Sequence, residues 1–414
     1  MAQEILVLEI EDIALGGDGI GKLNEFVYFV FGAITGEVVR VKVFKEKENC
    51  KFAKIIEIIK PSPHRIKPAC PLAIQVEDNK LYSPVACPGC SYQHLDYDYE
   101  IEVKNNQFIE TMSRLGGIDI SDTIQPPIKS PKDLYYRNKI TFHIEHLEHG
   151  EMNFGYRLSD SESVIEIGKC HLANPAINDI IAEQKQNKSF KQTLRNKNIN
   201  VTYRHTENSG AEFWRNSPNP KDSWLKEETK LGNISVPKGS FFQINPSVGD
   251  ILISKVEEYI RKANPEIVID LYCGVGIFAI TAALQNIPRV IGVDIDKNAI
   301  TVAKFNAKSR DLTNCGFRRS DAGKIARDIF SDIETDNSML IVDPPRGGLS
   351  RQSRESIKRS NIKTIIYISC APDTLARDLK ELTYNGYEIK ETQLLDMFPR
   401  TSHFETITYL IKTD

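Results

Sequence analysis

From Pro265 onward, short apolar runs alternate with helical segments, and this alternation restricts the possible fold more than any other feature of the chain. The runs EIVIDL, RVIGVDI, SMLIVDPP and KTIIYISC are rich in β-branched residues, as buried strands are. Segments such as NAITVAKFNAKSR and RQSRESIKRS separate them. Strands that alternate with helices predict a parallel, doubly wound α/β sheet. The runs YEIKETQLLDMF and HFETITYLIK predict two further strands.

The first 60 residues predict a small β-barrel that is separate from this sheet. Five short runs alternate apolar and polar residues, among them EILVLEIEDIA, FVYFVFGAI and EVVRVKVFKE, and glycine-rich turns such as GGDGIG separate them. The proline-rich stretch PSPHRIKPACP closes this part. A chain of 414 residues is long enough for two or three domains.

The middle of the chain changes from a helical to a strand pattern. A helix is predicted from Asp96 to Gly116, and its apolar face would carry Ile101, Phe108, Met112 and Leu115. Residues 130–245 predict an irregular, antiparallel β-rich region that a lysine- and asparagine-rich helical segment interrupts near residues 180–200.

The charge and the amino-terminal sequence limit the possible partners. With a net charge of −3 and a pI near 6.3, no overall positive field draws the protein to nucleic acid, so any RNA contact must come from local basic patches. The stretch MAQEILVLEIED lacks a basic region before an apolar core, and no apolar run is long enough to cross a membrane. We expect a cytoplasmic protein without a membrane partner, in which the 8 cysteines are reduced thiols or metal ligands.

The stretch DLYCGVGIF, residues 270–278, is a candidate cofactor site. It follows a strand and opens a helix, where Gly274 and Gly276 would let the backbone approach a ligand. Asp294 ends the next strand, where a carboxylate can bind both ribose hydroxyls. A nucleotide-binding oxidoreductase would carry a third glycine, which is missing here. The pattern D-x-x-C-G-x-G instead resembles class I methyltransferases, which bind S-adenosylmethionine.

Two further strand ends carry residues with possible chemical roles. Cys370 lies between the run TIIYIS and a helix that opens with Pro372, a position at which ligands bind and a thiol can become reactive. From position alone, Cys370 is either a nucleophile or a small buried apolar residue. In IVDPPRGGL, Asp343 is a candidate carboxylate. Arg346 stands where amino-group methyltransferases carry an aromatic residue, which argues against methylation of an exocyclic amine.

Five motifs together resemble the RNA 5-methyluridine methyltransferase family. They are FFQIN (241–245), DLYCGVG, IVDPPRGGL, ISCAPDTLARD and FPRTSHFETI (398–407), in the order of that family. The amino-terminal barrel resembles the TRAM domain, an RNA-binding module related to the oligonucleotide-binding fold. The resemblance implies a Rossmann-like α/β methyltransferase domain with an amino-terminal barrel and a β-rich central domain. The implied boundaries are 1–62 for the barrel, 63–94 with 125–240 for the central domain, and 95–124 with 241–414 for the methyltransferase domain.

The resemblance also implies roles for individual residues. Cys370 would be the nucleophile and Glu405 the base. Phe241 would pack on the target base, on the same face of an extended strand as Gln243, and a core phenylalanine is the alternative. Arg346 would contact the substrate. The residues placed around S-adenosylmethionine are Gln243, Tyr272, Gly274, Gly276, Ile277, Asp294, Asp321 and Asp343. Two positions depart from the family pattern, because Ile277 stands where asparagine is common and Asp294 where glutamate is common.

Four cysteines form a further constellation. Cys70, Cys87 and Cys90 lie in one segment, and Cys170 follows downstream. In the cluster-bearing branch of the family, four cysteines in this arrangement hold a 4Fe-4S cluster, although the gap between Cys70 and Cys87 is longer than usual there. Four thiolates also suit structural zinc.

The expected function is transfer of a methyl group from S-adenosylmethionine to carbon 5 of one uridine in RNA, through a covalent bond between Cys370 and carbon 6. Ribosomal 23S RNA is the expected substrate of a monomeric enzyme, with the T-loop of transfer RNA as the alternative. A cytidine C5-methyltransferase usually carries a Pro-Cys nucleophile, which the DPPR motif lacks. A non-catalytic RNA-binding assembly factor would not need the pair of Cys370 and Glu405.

Overall fold

The computed structural model describes residues 4–81, 86–148, 151–158, 162–194, 199–218, 224–333 and 337–413. Its amino-terminal part is a closed five-stranded barrel in the order β1-β2-β3-β5-β4, which confirms the predicted barrel. Every second residue points inward, so that apolar residues such as Leu8, Val30 and Val41 fill the barrel. The strands are β1 (Ile5–Ile13), β2 (Gly19–Leu23), β3 (Phe26–Phe31), β4 (Val38–Glu46) and β5 (Cys50–Lys60).

A short hairpin and one long helix follow the barrel. The hairpin consists of β6 (Val76–Glu77) and β7 (Lys80–Leu81). The helix α1 (Tyr97–Thr111) begins at Asp96, whose side chain caps it, and continues as a π-helical turn, Met112–Gly116. The prediction that Leu115 lies on the buried face is wrong, because its side chain is 56% exposed. The wider π turn inserts an extra residue and rotates the following side chains away from that face.

The central part is built on an antiparallel sheet in the order β11-β10-β9-β12-β13, as the β-rich pattern predicts. Two helices come between β11 and β12 along the chain. The strands are β9 (Lys139–His146), β10 (Met152–Arg157), β11 (Val164–Glu166), β12 (Asn200–Thr206) and β13 (Gly210–Arg215). The helices are α2 (Pro175–Gln186) and α3 (Lys188–Gln192), and a separate hairpin of β14 (Leu225–Thr229) and β15 (Gly232–Val236) follows.

The carboxyl-terminal part is an eight-stranded sheet in the order β18-β17-β16-β19-β20-β22-β21-β8, and its first five strands are parallel as predicted. The strands are β8 (Ile124–Ile128), β16 (Ile267–Leu271), β17 (Arg289–Asp294), β18 (Cys315–Arg319), β19 (Ser338–Val342), β20 (Thr364–Ser369), β21 (Tyr387–Leu395) and β22 (Glu405–Lys412). The helices are α4 (Pro246–Ala263), α5 (Ile277–Leu284), α6 (Lys297–Lys308), α7 (Ala322–Ser331), α8 (Arg351–Arg359) and α9 (Pro372–Tyr384).

Helices cover both faces of this sheet. One apolar core joins it to α4, α5 and α6, and the other joins it to α1, α7, α8 and α9. The edge strand β8 comes from far upstream and pairs in parallel with β21; it runs to Ile128, four residues past the expected boundary at 124. No helix in the described ranges is long and apolar enough to cross a membrane.

The strand order changes direction between β16 and β19. The chain passes from β16 outward to β17 and β18 on one side, and then returns to β19 and β20 on the other. In open α/β sheets the carboxyl ends of the strands at such a point form the ligand-binding crevice. The fold therefore places the ends of β16 and β19 at the site.

Candidate active site

Three candidate residues follow neighbouring parallel strands at one edge of the sheet. Tyr272 follows β16, Asp343 follows β19 and Cys370 follows β20. Glu405 reaches the same edge because it opens the antiparallel strand β22. Ser369 pairs with Thr406, so the residues one step beyond that pair, Cys370 and Glu405, face each other at the strand ends.

The thiol of Cys370 lies among charged groups rather than inside an apolar core. Its side chain is partly buried, and α9 begins two residues later, at Pro372. Burial, together with the carboxyl groups of Glu405 and Asp343, raises the pKa of the Cys370 thiol to about 11, and the Arg346 guanidinium opposes this rise. The thiol is therefore mostly protonated near neutral pH.

Two carboxyl groups beside this thiol are held in unusual environments. Glu405 is only 4% exposed, and burial together with Asp343 raises its pKa well above the ordinary value, while Arg346 opposes this shift. Burial raises the pKa of Asp343 to about 7. Clefts that hold several groups with raised pKa values are typical of sites for proton transfer.

The glycine-rich loop after β16 adopts left-handed backbone conformations. Tyr272 has a φ of 70°, Gly274 of 53° and Gly276 of 87°. A Cβ on Gly276 would lie 2.8 Å from the ring of Phe317, whereas a Cβ on Gly274 would meet nothing within 4 Å. The first contact requires glycine for packing. The open space beside Gly274 leaves room for a ligand against the backbone.

Asp294 is tied to this loop through backbone hydrogen bonds. Gly274 N–H donates to its Oδ2 and Asp296 N–H donates to its Oδ1, each over 2.8 Å. Each carboxylate oxygen keeps a lone pair that can accept a further hydrogen bond. Asp321 caps α7 by accepting from Lys324 N–H over 3.1 Å.

A cavity lies between this loop and the FFQIN segment. Its lining includes six of the predicted cofactor and substrate residues: Phe241, Gln243, Tyr272, Gly274, Ile277 and Asp343. The predicted cofactor residues Gly276, Asp294 and Asp321 lie outside this lining, as do Arg346 and Cys370. Phe242 and Phe278 also line the cavity. Sequence reasoning missed these two residues, because apolar side chains at such positions look like ordinary core.

Phe241 differs from the expectation in two ways. Residues 241–243 lie outside any helix or strand, so the shared strand face expected for Phe241 and Gln243 does not exist. The alternative of a core phenylalanine is also wrong, because Phe241 is 72% exposed. The ring instead stands at the wall of the cavity, where it is free to contact a ligand.

The four cysteines of the constellation line one small cavity. Cys70, Cys87, Cys90 and Cys170 are free thiols, and Arg137 lies beside them. Gln93 connects two of the cysteines, because its amide donates to Cys90 Sγ over 3.1 Å and accepts from Cys70 N–H over 3.2 Å. Within the described ranges, no group of three or more histidine, cysteine, aspartate or glutamate side chains has the arrangement that holds a metal ion.

The fold and the site define a class of protein. A doubly wound sheet with a glycine loop after its first strand, an acid at the end of the second and open space beside Gly274 is the architecture of a class I methyltransferase. A thiol, Cys370, and a buried carboxyl group, Glu405, lie at the adjacent strand ends.

Comparisons with known proteins identify the family within this class. The model of the family described as tRNA (Uracil-5-)-methyltransferase matches residues 223–413, and that of the TRAM domain matches residues 2–56. An uncharacterized RNA methyltransferase of Clostridium acetobutylicum is 32% identical, with 98% of this chain and 96% of that protein covered. One from Listeria monocytogenes is 30% identical, with 97% and 96% covered.

A solved structure shows the same fold. The tRNA (uracil-54, C5)-methyltransferase of Pyrococcus abyssi, in complex with S-adenosyl-L-homocysteine, is 23% identical and superposes with a TM-score of 0.73 over 98% of this chain and 100% of that chain. The chain belongs to the family of RNA uracil-5-methyltransferases with an amino-terminal TRAM domain, and it is an RNA methyltransferase.

Proposed function

We propose that this enzyme methylates carbon 5 of a uridine in RNA, with S-adenosylmethionine as donor, through a covalent adduct with Cys370. The observation that carries the proposal is the pairing of β20 with β22, which brings Cys370 beside the buried Glu405 at the ligand-binding edge of the sheet. A nucleophile and a base within one crevice are what the reaction requires.

Cys370 makes the target base reactive. Carbon 5 of uracil is too weak a nucleophile to accept a methyl group unaided. When the Cys370 thiolate bonds to carbon 6, the electron pair of the 5,6 double bond moves into the ring as an enolate, and carbon 5 becomes nucleophilic. Because the pKa of this thiol is raised to about 11, only a small fraction of it is thiolate near neutral pH.

Glu405 completes the reaction. When bound, S-adenosylmethionine supplies a methyl group on a sulfonium, and carbon 5 then carries both a methyl group and a proton. The Glu405 carboxylate removes this proton, the double bond re-forms, and the bond between sulfur and carbon 6 breaks. A carboxyl group whose pKa is raised by burial is a stronger base than an exposed one once it is ionised.

The residues of the cavity and of the neighbouring loop fit the methyl donor. The open space beside Gly274 leaves room for the cofactor against the loop, and Asp294, which is bonded to this loop, can accept from the ribose hydroxyls. Asp343, which lines the cavity, suits a positively charged sulfonium. We also assign to the donor site Gln243, Tyr272, Gly276, Ile277 and Asp321.

Phe241 and Arg346 are our candidates for contact with RNA. A uridine must leave its stack before a thiol can reach carbon 6, and an aromatic side chain can then stack on the flipped base. The exposed ring of Phe241 is available for this contact. The exposed Arg346 lies close enough to affect the pKa of both Cys370 and Glu405, so it can also reach a base held between them.

We propose that Cys70, Cys87, Cys90 and Cys170 hold a 4Fe-4S cluster. The support is the donor set, four thiols on one cavity, since soft thiolate ligands select iron-sulfur centres or zinc; among the described residues these thiols do not yet form the arrangement that holds a metal ion. No step of the methyl transfer requires it.

The support for 23S ribosomal RNA as substrate is the resemblance of this constellation to that of the cluster-bearing branch. The description of the matching family model and the named activity of the P. abyssi relative favour transfer RNA.

Two experiments test this function. Mapping 5-methyluridine in ribosomal and transfer RNA from cells with and without the gene identifies the substrate. If every 5-methyluridine is still present in cells without the gene, the proposal is contradicted. For the mechanism, Glu405→Gln should accumulate a protein–RNA adduct that survives denaturing electrophoresis, whereas Cys370→Ala should form none. Cys315→Ala removes a thiol outside the site and is the matched control, which should behave like wild type.

A further inference from the structure

The helices α7 and α8 leave a groove between them that starts at the ligand-binding edge of the sheet. Each helix follows the carboxyl end of a strand, β18 or β19. Their first turns touch, because a Cβ on Gly323 would lie 2.5 Å from Ser350 Oγ. From this contact the groove runs along both helices to Phe330 and Ser360.

Basic side chains dominate the lining of this α7–α8 groove. Lys324 and Arg327 come from α7, Arg351 and Arg359 come from α8, and Glu355 is the one acidic residue in the described lining. Its carboxylate is already paired with Lys358 over 2.6 Å. In a protein with a net charge of −3, such a local excess of positive charge is not a general property of the surface.

Three of these cations are free to bind a ligand. Lys324, Arg327 and Arg351 are exposed, and no ion pair of theirs is found among the described residues. Within the part of the chain that the structure describes, Arg359 has one ion pair, a distant contact with Glu355 at 3.9 Å.

The other basic residues of α8, Arg354 and Lys358, form ion pairs with α9. Arg354 Nε pairs with Glu381 of α9 over 3.0 Å, and Lys358 contacts the same carboxylate at 3.6 Å. The basic residues of α8 therefore lie on two sides of the helix. Arg354 and Lys358 contact α9, whereas Arg351 and Arg359 line the groove that α8 forms with α7.

The groove begins close to residues of the proposed active site. Arg351 opens α8 five residues after Arg346, which lies close enough to Cys370 to affect the pKa of its thiol. In the same first turn of α8, Ser353 Oγ lies 3.3 Å from the hydroxyl of Tyr272 in the cofactor loop. A strand that leaves the site beside Arg346 therefore meets Arg351 first.

We propose that the α7–α8 groove binds the phosphates of the RNA strand that flanks the target uridine. This inference rests on the proposed function, because it takes the flipped uridine to lie beside Arg346. Arg351 and Arg359 are eight residues apart, which is about 12 Å along a helix, enough for about two successive phosphates of an extended strand. Phosphate contacts of this kind position a nucleic acid without reading its sequence.

The test compares the double variant Lys324→Ala/Arg351→Ala with a matched control, Lys304→Ala/Lys308→Ala. The control removes two exposed lysines from α6, across the sheet from the groove. The probe is a single-stranded oligouridine of about 20 nucleotides, long enough to pass the site on both sides. Its dissociation constant is measured as a function of salt concentration.

The affinity of the groove variant should depend less steeply on salt. The plot of log Kd against log salt concentration should become shallower by about 0.7 for each phosphate that the variant no longer neutralises, so by about 1.4 for two. The control should keep the wild-type slope. A wild-type slope for the groove variant, or an equal fall for both, would overturn the proposal. Circular dichroism melting of both variants checks folding, and both melting temperatures should stay near the wild-type value because the substituted side chains are exposed.

Methylation of total RNA from cells that lack the gene separates this inference from the proposed function. The groove variant should raise KM and leave kcat near the wild-type value, because the chemistry at Cys370 is unchanged. Failure of the wild-type enzyme to methylate this RNA would contradict the function. The oligouridine slopes would still decide whether the groove binds phosphates.

Discussion

The backbone N–H of Tyr92 donates to the carbonyl oxygen of Arg400 over 3.1 Å. This bond joins the segment after the Cys87–Cys90 pair to the turn before Glu405. A second bond runs in parallel, from Ser402 N–H to Ser91 Oγ over 3.2 Å. The position of the proposed base is therefore fixed in part by the chain that carries two of the cysteines.

Arg400 is the centre of this connection, and its loss should destabilise the protein. The buried guanidinium donates to Leu95 O over 2.8 Å and contacts Glu100 and Asp133. Arg400→Ala would leave Glu100 with Lys104 as its remaining ionic partner, and breaking a buried pair costs about 3–5 kcal/mol. Urea unfolding measures the change.

Arg114→Ala is the control for this measurement. Its ion pair with Glu110, at 3.4 Å, lies on the surface, so its loss should cost less than about 1 kcal/mol. Equal losses of stability in the two variants would show that the Arg400 network contributes no more than a surface pair.

The two glycines of the cofactor loop should respond differently to alanine. Gly276→Ala places a Cβ 2.8 Å from Phe317 at a φ of 87°, and such overpacking costs about 1–3 kcal/mol. Gly274→Ala meets no atom within 4 Å, so it should cost less stability but weaken binding of S-adenosylhomocysteine. Thermal melting and isothermal titration calorimetry measure the two effects, and a Gly274→Ala variant with wild-type affinity would contradict the position of the donor.

The reactivity of Cys370 should rise steeply with pH. Because the pKa of its thiol is raised to about 11, the thiolate fraction grows about tenfold for each pH unit below that value. Alkylation by iodoacetamide, followed at the Cys370 peptide by mass spectrometry, should show this dependence. Arg346→Ala removes the cation that lowers this pKa and should slow the labelling; faster labelling would place the guanidinium elsewhere.

The cysteine cavity should yield iron on purification. Protein prepared without oxygen should be brown and carry about four irons per chain, as thiolate-bound clusters do. Cys90→Ser should lose the iron, whereas Cys50→Ser, a thiol of the barrel, should retain it. Colourless wild-type protein with one zinc per chain would remove the iron-sulfur assignment.

The main elements could be predicted because their residue patterns are regular. Elements that depend on irregular contacts could not be predicted. The alternation of strands and helices was sufficient for the doubly wound sheet. The strand β8 was missed because its sequence, IQPPI, contains two prolines, which cannot donate to a sheet and are tolerated only at an edge. The exposure of Leu115 depends on a π turn, for which no local residue gives a signal.

The site likewise contains residues that motifs predicted and contacts that the sequence did not indicate. Motifs predicted that Tyr272, Asp343 and Cys370 follow strands, and the parallel sheet brings such ends together. Nothing in the order of residues indicates that Arg354 pairs with α9 while Arg351 faces α7. That distinction depends on how two helices pack, which neighbours in sequence do not specify.

The position of β8 has a consequence for producing this enzyme in pieces. A fragment that starts after the central part would lack both β8 and α1, although it would contain the remaining strands of the sheet. The backbone groups of β21 would then form an open edge, and the apolar surface that Phe108 and Met112 cover would face water. Open edges promote aggregation, so soluble expression of the catalytic part requires residues 97–128 as well.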